Sequence, residues 1–530
     1  MVQSLQDIKM PIEFPVPLTM GLGTCLPKPM KITCLTIGTR GDVQPYIALC
    51  QRLNELGHTC TIATHKTFRH WIETNGILFA EIEGDPEQLM EHCVEFGVLS
   101  PFFWWNGFSR FSPWFDGLLA SSWKACQGSD LLIESPSALI GLHIAQSLNI
   151  PYYRAFTMPW TMTGAYPHAM LAMCDTWGSW LNRMSYILFD LLIWVILATR
   201  INTWRKSVLG LEKTTFSQLR LDQVPFLYNF SSLVVPRPED WKPWVKTTGY
   251  WFLDPPKNAT SEKDPKNSIP EGLRQALHQA KESGRKIVYI GFGSVIVPDL
   301  EKAMSAIIGA VKESNVFAIV SGGWTAQQAE RVHESTAMRV DVSHHLDCMY
   351  YVDSIPHEWL FTQVDAALHH GGAGTTAASM RAGIPTMIKP FFGDQNFWAR
   401  RVEELGVGTY VKTFKQQDIL QAIKRATTDR NQIHKARLLG ENIRRENGVD
   451  NAIKAIYEHL DYSQCLIETT RSPTLQSQPS QLPQVTSAVS QLSQVTTAVK
   501  SALSSTIKTI YFQRLPTTQR CIYDGYSSLV

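Results

Sequence analysis

The sequence predicts an α/β protein of two mostly parallel-sheet halves facing across a cleft, with a low-complexity C-terminal tail. Three observations lead there. A β-α-β unit opens at Lys31, a second α/β unit opens at Lys286, and the stretch from Asp365 to Gln395 reads strand, glycine turn, helix, strand. At 530 residues the chain is too long for one core, so two domains plus extras are expected. In open α/β sheets ligands bind beyond the carboxyl ends of the strands, which places a site between the halves.

Taken in order, residues 1–30 form an irregular, proline-rich leader and 31–235 a first domain. Residues 236–283 are a linker and loop, 284–464 a second domain, and 465–530 a Ser/Thr/Gln-rich tail expected to be disordered. Lys31–Ile37 reads as a strand, Gly38–Asp42 as a turn, and Val43–Leu56 as a helix with apolar positions at helical spacing and Pro45 in its first turn. Thr59–Thr64 is the next strand, and Asp130–Glu134 and Ile150–Phe156 flank a helix over Leu139–Leu148. Pro225–Gly249 reads as the link out of the first domain. Strands follow at Lys286–Gly291, Val316–Val320, Met349–Val352, Asp365–His369 and Pro385–Pro390. Within the tail, Ser480–Val489 is followed by a near copy at Ser490–Val499, two copies being too few for a solenoid.

The net charge of +2 gives no electrostatic case for nucleic acid. Ten cysteines without a CxxC pair argue for reduced thiols, hence a cytoplasmic chain with no zinc site. The N-terminus lacks the basic-then-apolar pattern of a signal peptide. Tyr186–Ala198 is apolar but broken by Asp190 and shorter than the ~20 residues a spanning helix needs. The wider segment Met170–Leu211 carries Trp177, Trp180, Trp194 and Trp204 ahead of Arg205 and Lys206. Packing, a lid over an apolar ligand and peripheral contact with a membrane all remain open for it.

The glycines at 371, 372 and 374 open a helix N-terminus whose unpaired N–H groups suit an anion. His370 and the Thr375 hydroxyl add donors for a phosphoryl oxygen, and Asp394 with Gln395 supplies groups for sugar hydroxyls. The result is a nucleotide-sugar site. Gly293 and Ser294 close a second strand-end turn that can face the same phosphates. No DxD motif occurs, so no metal or other cofactor is expected.

Several motifs occur in order: Thr39–Pro45, Ser135–Ala138 with Arg154–Trp160, Gly291–Ser294, and His369–Thr376 with Asp394 and Gln395. Together they resemble the sterol 3β-glucosyltransferases, nucleotide-sugar-dependent enzymes with two Rossmann-like domains in the GT-B arrangement. The resemblance runs from about residue 31 to about 460. It implies inverting transfer of glucose from UDP-glucose to a sterol hydroxyl, with Asp42 as the base that takes the acceptor proton. It implies donor contacts at Thr39, Arg40, Gly293, Ser294, Ile355, His357, His370, Gly372, Ala373, Gly374, Thr375, Asp394 and Gln395. The acceptor pocket would draw on Phe102, Phe103, Trp104, Phe108 and Trp160.

Alternatives stay open at this point. Asp42 could simply cap the helix at Val43, and burial would have to lift its pKa before it served as a base near neutrality. An inward Arg40 charge would oppose that lift. His357 could be a first-turn residue of the helix that follows it. The acceptor could be a terpenoid or another secondary metabolite, and a non-catalytic lipid-binding role is the remaining class.

Overall fold

The computed structural model describes residues 28–84, 114–171, 178–253, 269–293, 295, 297, 299–322, 348–352 and 355–471. All of them fall within one compact unit, Met1–Met90 with Trp114–Arg471. The leader as far as residue 27 and the repeat-bearing tail lie outside the described residues, as do Phe102, Phe103, Trp104, Phe108 and Ser294.

The first sheet has seven strands, β1 (Lys31–Leu35), β2 (Thr59–Thr64), β3 (Leu78–Glu81), β4 (Leu131–Glu134), β5 (Tyr152–Phe156), β6 (Phe226–Tyr228) and β7 (Val245–Thr247). All pairs are parallel, in the order β3-β2-β1-β4-β5-β6-β7, with Cys34 of β1 opposite Ile62 on one side and Ile133 on the other. The second sheet holds β8 (Ile287–Gly291), β9 (Phe317–Ser321), β10 (Met349–Val352), β11 (Ala366–His369), β12 (Thr386–Ile388) and β13 (Gly408–Tyr410). Its order is β10-β9-β8-β11-β12-β13, again parallel throughout. Central strands such as β4, β5 and β8 are buried along their whole length, which is why they read as continuous apolar runs rather than alternating ones. Strand order reverses between β1 and β4 and between β8 and β11. The turns after β1, β8 and β11 therefore sit at the switch points, where a crevice opens.

Four details differ from expectation. The supposed link Pro225–Gly249 carries β6 and β7 and completes the first sheet; strands of three residues fall below what a periodic pattern can signal. The helix Glu271–Glu282 belongs to the second half, where Leu273 and Leu277 pack with Ile287 and Tyr289. The helix after β1 starts at Arg40 because Thr39 is its N-cap, so Pro45 lies in the second turn and removes the helical donor for the Gly41 carbonyl. The C-terminal helices Gly448–Glu458 and Leu460–Arg471 run past residue 464 and pack on the first sheet, not the second. Ala452, Ile453 and Ile456 share a core with Ile32, Cys34 and Ile47, and Tyr153 donates its hydroxyl to the Ile456 carbonyl at 2.7 Å.

Two further contacts hold the halves together. One apolar cluster joins Phe156, Phe189, Tyr228 and Phe230 of the first half to Met380, Ile388, Phe397 and Trp398 of the second. At the crossing back, Glu446 accepts the Ser231 hydroxyl at 2.5 Å through one oxygen, while the other is buried without a hydrogen-bond partner among the described residues. Burial raises its pKa to about 7. A carboxyl raised in the folded state favours folding while protonated and loses that favour as pH rises toward 7. Glu446→Gln should therefore stabilise the protein more at pH 8 than at pH 5. The gain should widen by at most about 1.4 kcal/mol per pH unit, read as Tm against pH.

The helix Ser179–Ser207 spans 29 residues and is, by length and composition, long and apolar enough to cross a membrane. The run Tyr186–Ala198 was too short only because the helix extends beyond it at both ends. Tyr186, Phe189, Leu197 and Ile201 are buried, whereas Trp180 (69% exposed) and Leu188 (62%) face outward.

Candidate functional site

The donor side is built where β11 ends. His369 is the last strand residue and is fully buried; its Nδ1 accepts the Gly371 N–H at 3.0 Å and its Nε2 lies 3.4 Å from the Ser379 hydroxyl. That ring is structural. His370 follows outside the strand, and its Nδ1 is buried with no hydrogen-bond partner among the described residues. The ring occupies space left by two glycines. A Cβ at Gly372 would lie 2.6 Å from His370 Nε2, and one at Gly293 (φ +63) would lie 3.3 Å from Cε1. Gly293 and Gly372 thus admit the imidazole between the ends of β8 and β11. Burial and the nearby His357 lower the His370 pKa to about 4, so near neutrality it is uncharged and can donate one N–H.

Gly372 is the N-cap of the helix Ala373–Ala382, with no side-chain cap. The N–H groups of Ala373, Gly374 and Thr375 are free of intrahelical partners, and Thr375 sits half-buried beside them. A Cβ at Gly374 would be 3.6 Å from the Gly41 Cα, so the N-termini of the Ala373 and Arg40 helices meet across the cleft. Two positive dipole ends and a neutral imidazole donor suit a diphosphate. Among the described residues no group of three His, Cys, Asp or Glu side chains is placed to hold a metal ion.

Asp42 lies on the opposite wall, in the first turn of the Arg40 helix. Its Oδ2 accepts the Thr39 N–H at 2.8 Å and the Thr39 hydroxyl at 3.0 Å, closing a capping box. It is therefore the third helical residue rather than the cap itself. Gly38 (φ +133) is required beside it, since a Cβ there would run into the Asp42 carboxylate. Burial raises the Asp42 pKa against the pull of the two Thr39 hydrogen bonds. Arg40 does not oppose this, because its guanidinium lies over the Trp71 ring at 4.6 Å.

Asp394 and Gln395 follow β12. The Gln395 side chain is buried and its Oε1 accepts the N–H groups of Phe391 and Phe392 at 2.8 and 3.2 Å, shaping the loop. Asp394 accepts the Trp398 indole N–H at 2.7 Å, a partner one helical turn on that becomes visible only once the helix is known to begin at Gln395. Burial, together with the Asp42 charge, raises its pKa to about 7, against the pull of the Trp398 bond. Asp42 and Asp394 thus come from different halves yet sense each other. Removing the indole donor should push Asp394 higher still, so Trp398→Phe should move any carboxylate-dependent limb of donor binding upward by roughly one pH unit. Donor titration across pH checks this.

The remaining expected residues are less central. The His357 ring stacks on Phe361 at 4.8 Å and lies 3.2 Å from the Tyr289 hydroxyl, at the start of the short helix His357–Leu360. Burial lowers its pKa, with the Arg40 charge adding to this. Ile355 is buried next to it. Trp160 is packed edge-on against Phe156, His168 and Phe189 and lines a pocket between the first sheet and the Ser179 helix. Sequence reasoning missed the polar lining of that pocket, which includes Glu134, His143, Tyr152, Arg154 and Asp190, although the Asp190 interruption in an apolar run was a signal of it.

Comparison with known proteins follows this geometry. Residues 32–167 match the glycosyltransferase family 28 N-terminal domain, and residues 327–450 match the erythromycin biosynthesis protein CIII-like C-terminal domain. The chain is 50% identical over 447 residues to a sterol 3-beta-glucosyltransferase of Cryptococcus neoformans, covering 84% of this chain and 28% of that protein. It thus spans under a third of the length of the curated relatives it matches. Among solved structures it is similar to the glycosyltransferase of kitacinnamycin (TM-score 0.60, 15% identity, 82% of this chain and 100% of that one). It is also similar to glycosyltransferase VinC, solved in complex with dTDP (TM-score 0.55, 16% identity, 82% and 100%). Two parallel sheets, the matched N- and C-terminal domains and these solved structures give the chain the GT-B glycosyltransferase fold.

Proposed function

We propose that this chain transfers glucose from UDP-glucose to the hydroxyl of a sterol, inverting the anomeric centre. The observation that carries the reading is the pairing of Asp42, with its raised pKa, and Asp394 beside the His370 and Ala373-helix anion site. The similarity to sterol 3-beta-glucosyltransferases supports a sterol acceptor and a glucosyl group, and the anion site supports a nucleotide diphosphate as its carrier. The Asp42 carboxylate takes the acceptor proton as the hydroxyl oxygen attacks the anomeric carbon. The bond from that carbon to the β-phosphate oxygen breaks, and UDP leaves with its charge met by backbone N–H groups and His370. Asp394 and Gln395 orient the sugar, and no metal enters this scheme. Incubation with UDP-glucose and a panel of ergosterol, cholesterol and terpenoid alcohols tests it. Turnover confined to sterols supports the reading, turnover confined to terpenoids replaces the acceptor, and no turnover with any of them leaves a lipid-binding role.

We propose further that the protein works in the cytoplasm and meets a membrane peripherally through the outer face of the Ser179 helix. Trp180, Leu181, Leu188 and Val195 are exposed there. The double variant Trp180→Glu, Leu188→Glu should lower flotation with liposomes about tenfold while leaving circular dichroism unchanged. Unchanged flotation would remove this face as the contact.

A further inference from the structure

Tyr289 of β8 has no part in the reaction as described above, yet the strand makes a specific allowance for its hydroxyl. The residue is 3% exposed. A Cβ at Gly291 would lie 2.1 Å from the Tyr289 hydroxyl and 3.0 Å from the Ser321 Cβ. Gly291 closes a fully buried strand opposite His369, and its φ lies outside the left-handed region. The backbone does not require a glycine there, and a strand is weakened by one. The hydroxyl requires it, because no other residue leaves it room.

That hydroxyl lies 3.2 Å from His357 Nε2, and the Ser321 side chain hydrogen-bonds it from the end of β9. The His357 ring is fixed in place, stacked on Phe361 with planes 5° apart and met edge-on by Tyr289 at 69°. Its neighbour Glu358 accepts the Gln44 side-chain N–H of the first half at 3.2 Å. The ring therefore stands at the cleft, near enough to Arg40 and His370 for their charges to interact.

Burial lowers the His357 pKa, so near neutrality the ring is uncharged and carries one N–H. Burial pushes the Tyr289 phenol up to about 12, so it keeps its proton. An unprotonated imidazole nitrogen is more basic than a serine oxygen, so Tyr289 donates to Nε2 and accepts from Ser321. The bond made at one ring nitrogen decides whether the other holds the proton.

We infer that Tyr289 is a positioning residue for the sugar donor: by donating to His357 Nε2 it keeps the proton on Nδ1, which offers that N–H to the nucleoside. Tyr289 acts through His357 and touches no reacting atom. The inference rests on the reading of the cleft as a nucleotide-sugar site.

The test uses the full chain, with UDP as the probe. Nitrogen-15 spectra of histidine-labelled protein report which ring nitrogen is protonated, the His357 signals being identified by their loss in His357→Asn. Wild type should carry the proton on Nδ1. Tyr289→Phe keeps the packed ring and removes only the hydroxyl, and should shift the proton partly or wholly to Nε2. UDP binding should weaken about five- to tenfold in Tyr289→Phe, and the UDP-glucose KM should rise as much with kcat within about twofold. The amide of His357→Asn has a fixed N–H donor, so adding Tyr289→Phe to that variant should weaken UDP binding by less than about twofold. A wild-type proton on Nε2 or an unchanged tautomer in Tyr289→Phe overturns the inference. So does an equal loss of UDP affinity with and without His357→Asn, which would reduce Tyr289 to packing. If Tyr289→Phe does not fold, the wild-type spectrum decides alone. Glucose transfer that fails while the tautomer and UDP respond as stated removes the proposed reaction and leaves this role; transfer with an unmoved tautomer does the reverse.

Discussion

Asp42→Asn is expected to lower kcat by about 10²–10⁴ while leaving UDP-glucose KM within roughly threefold, because it removes a base and not a donor contact. The substitution is isosteric. Its amide oxygen can still accept the Thr39 N–H now held at 2.8 Å, so the capping box and the fold should survive. Burial raises the Asp42 pKa, so in the wild type the acid limb of kcat against pH should lie above the ordinary carboxylate range, and it should vanish in the variant. Steady-state kinetics across pH on protein with unchanged circular dichroism checks both points. Near-normal turnover in Asp42→Asn would reduce Asp42 to a helix-capping residue.

His370→Ala is expected to lower kcat/KM by about 10–100-fold, the cost of withdrawing one hydrogen bond to a charged phosphoryl oxygen. The geometry gives a companion variant. Gly372→Ala adds a Cβ that would sit 2.6 Å from His370 Nε2, so it should displace the ring and approach the same loss with the histidine still present. The two changes touch each other, so the double variant should lose little more than His370→Ala alone. Losses that multiply would mean that Gly372 acts through its own backbone and not by making room for the imidazole. UDP binding by calorimetry and initial rates together separate these outcomes.

Much of the architecture was legible because buried parallel strands leave long apolar runs, and glycines mark the turns at their carboxyl ends. Gly38, Gly293 and Gly372 are sequence signals with a physical cause, since each admits a functional side chain or a left-handed backbone. The short strands β6 and β7 were not legible, since three residues carry no period. The amphipathic helix Gly448–Glu458 shows which of its faces is apolar but not which sheet that face will meet. The pairing of Trp398 with Asp394 needed the start of a helix. The meeting of Arg154 and Asp190 in one pocket lining needed a tertiary layer that no local pattern records. Electrostatic coupling between Asp42 and Asp394 likewise exists only once two distant segments share a cleft.

The central claim is that Asp42 directs a sterol hydroxyl onto the anomeric carbon of a sugar whose diphosphate rests on His370 and the Ala373 helix. Proton NMR of the product formed from UDP-glucose and ergosterol tests it most directly. A single β-linked sterol glucoside, absent from the Asp42→Asn reaction, is the result expected. An α-linked product, or a β-linked product formed equally well by Asp42→Asn, would contradict the account.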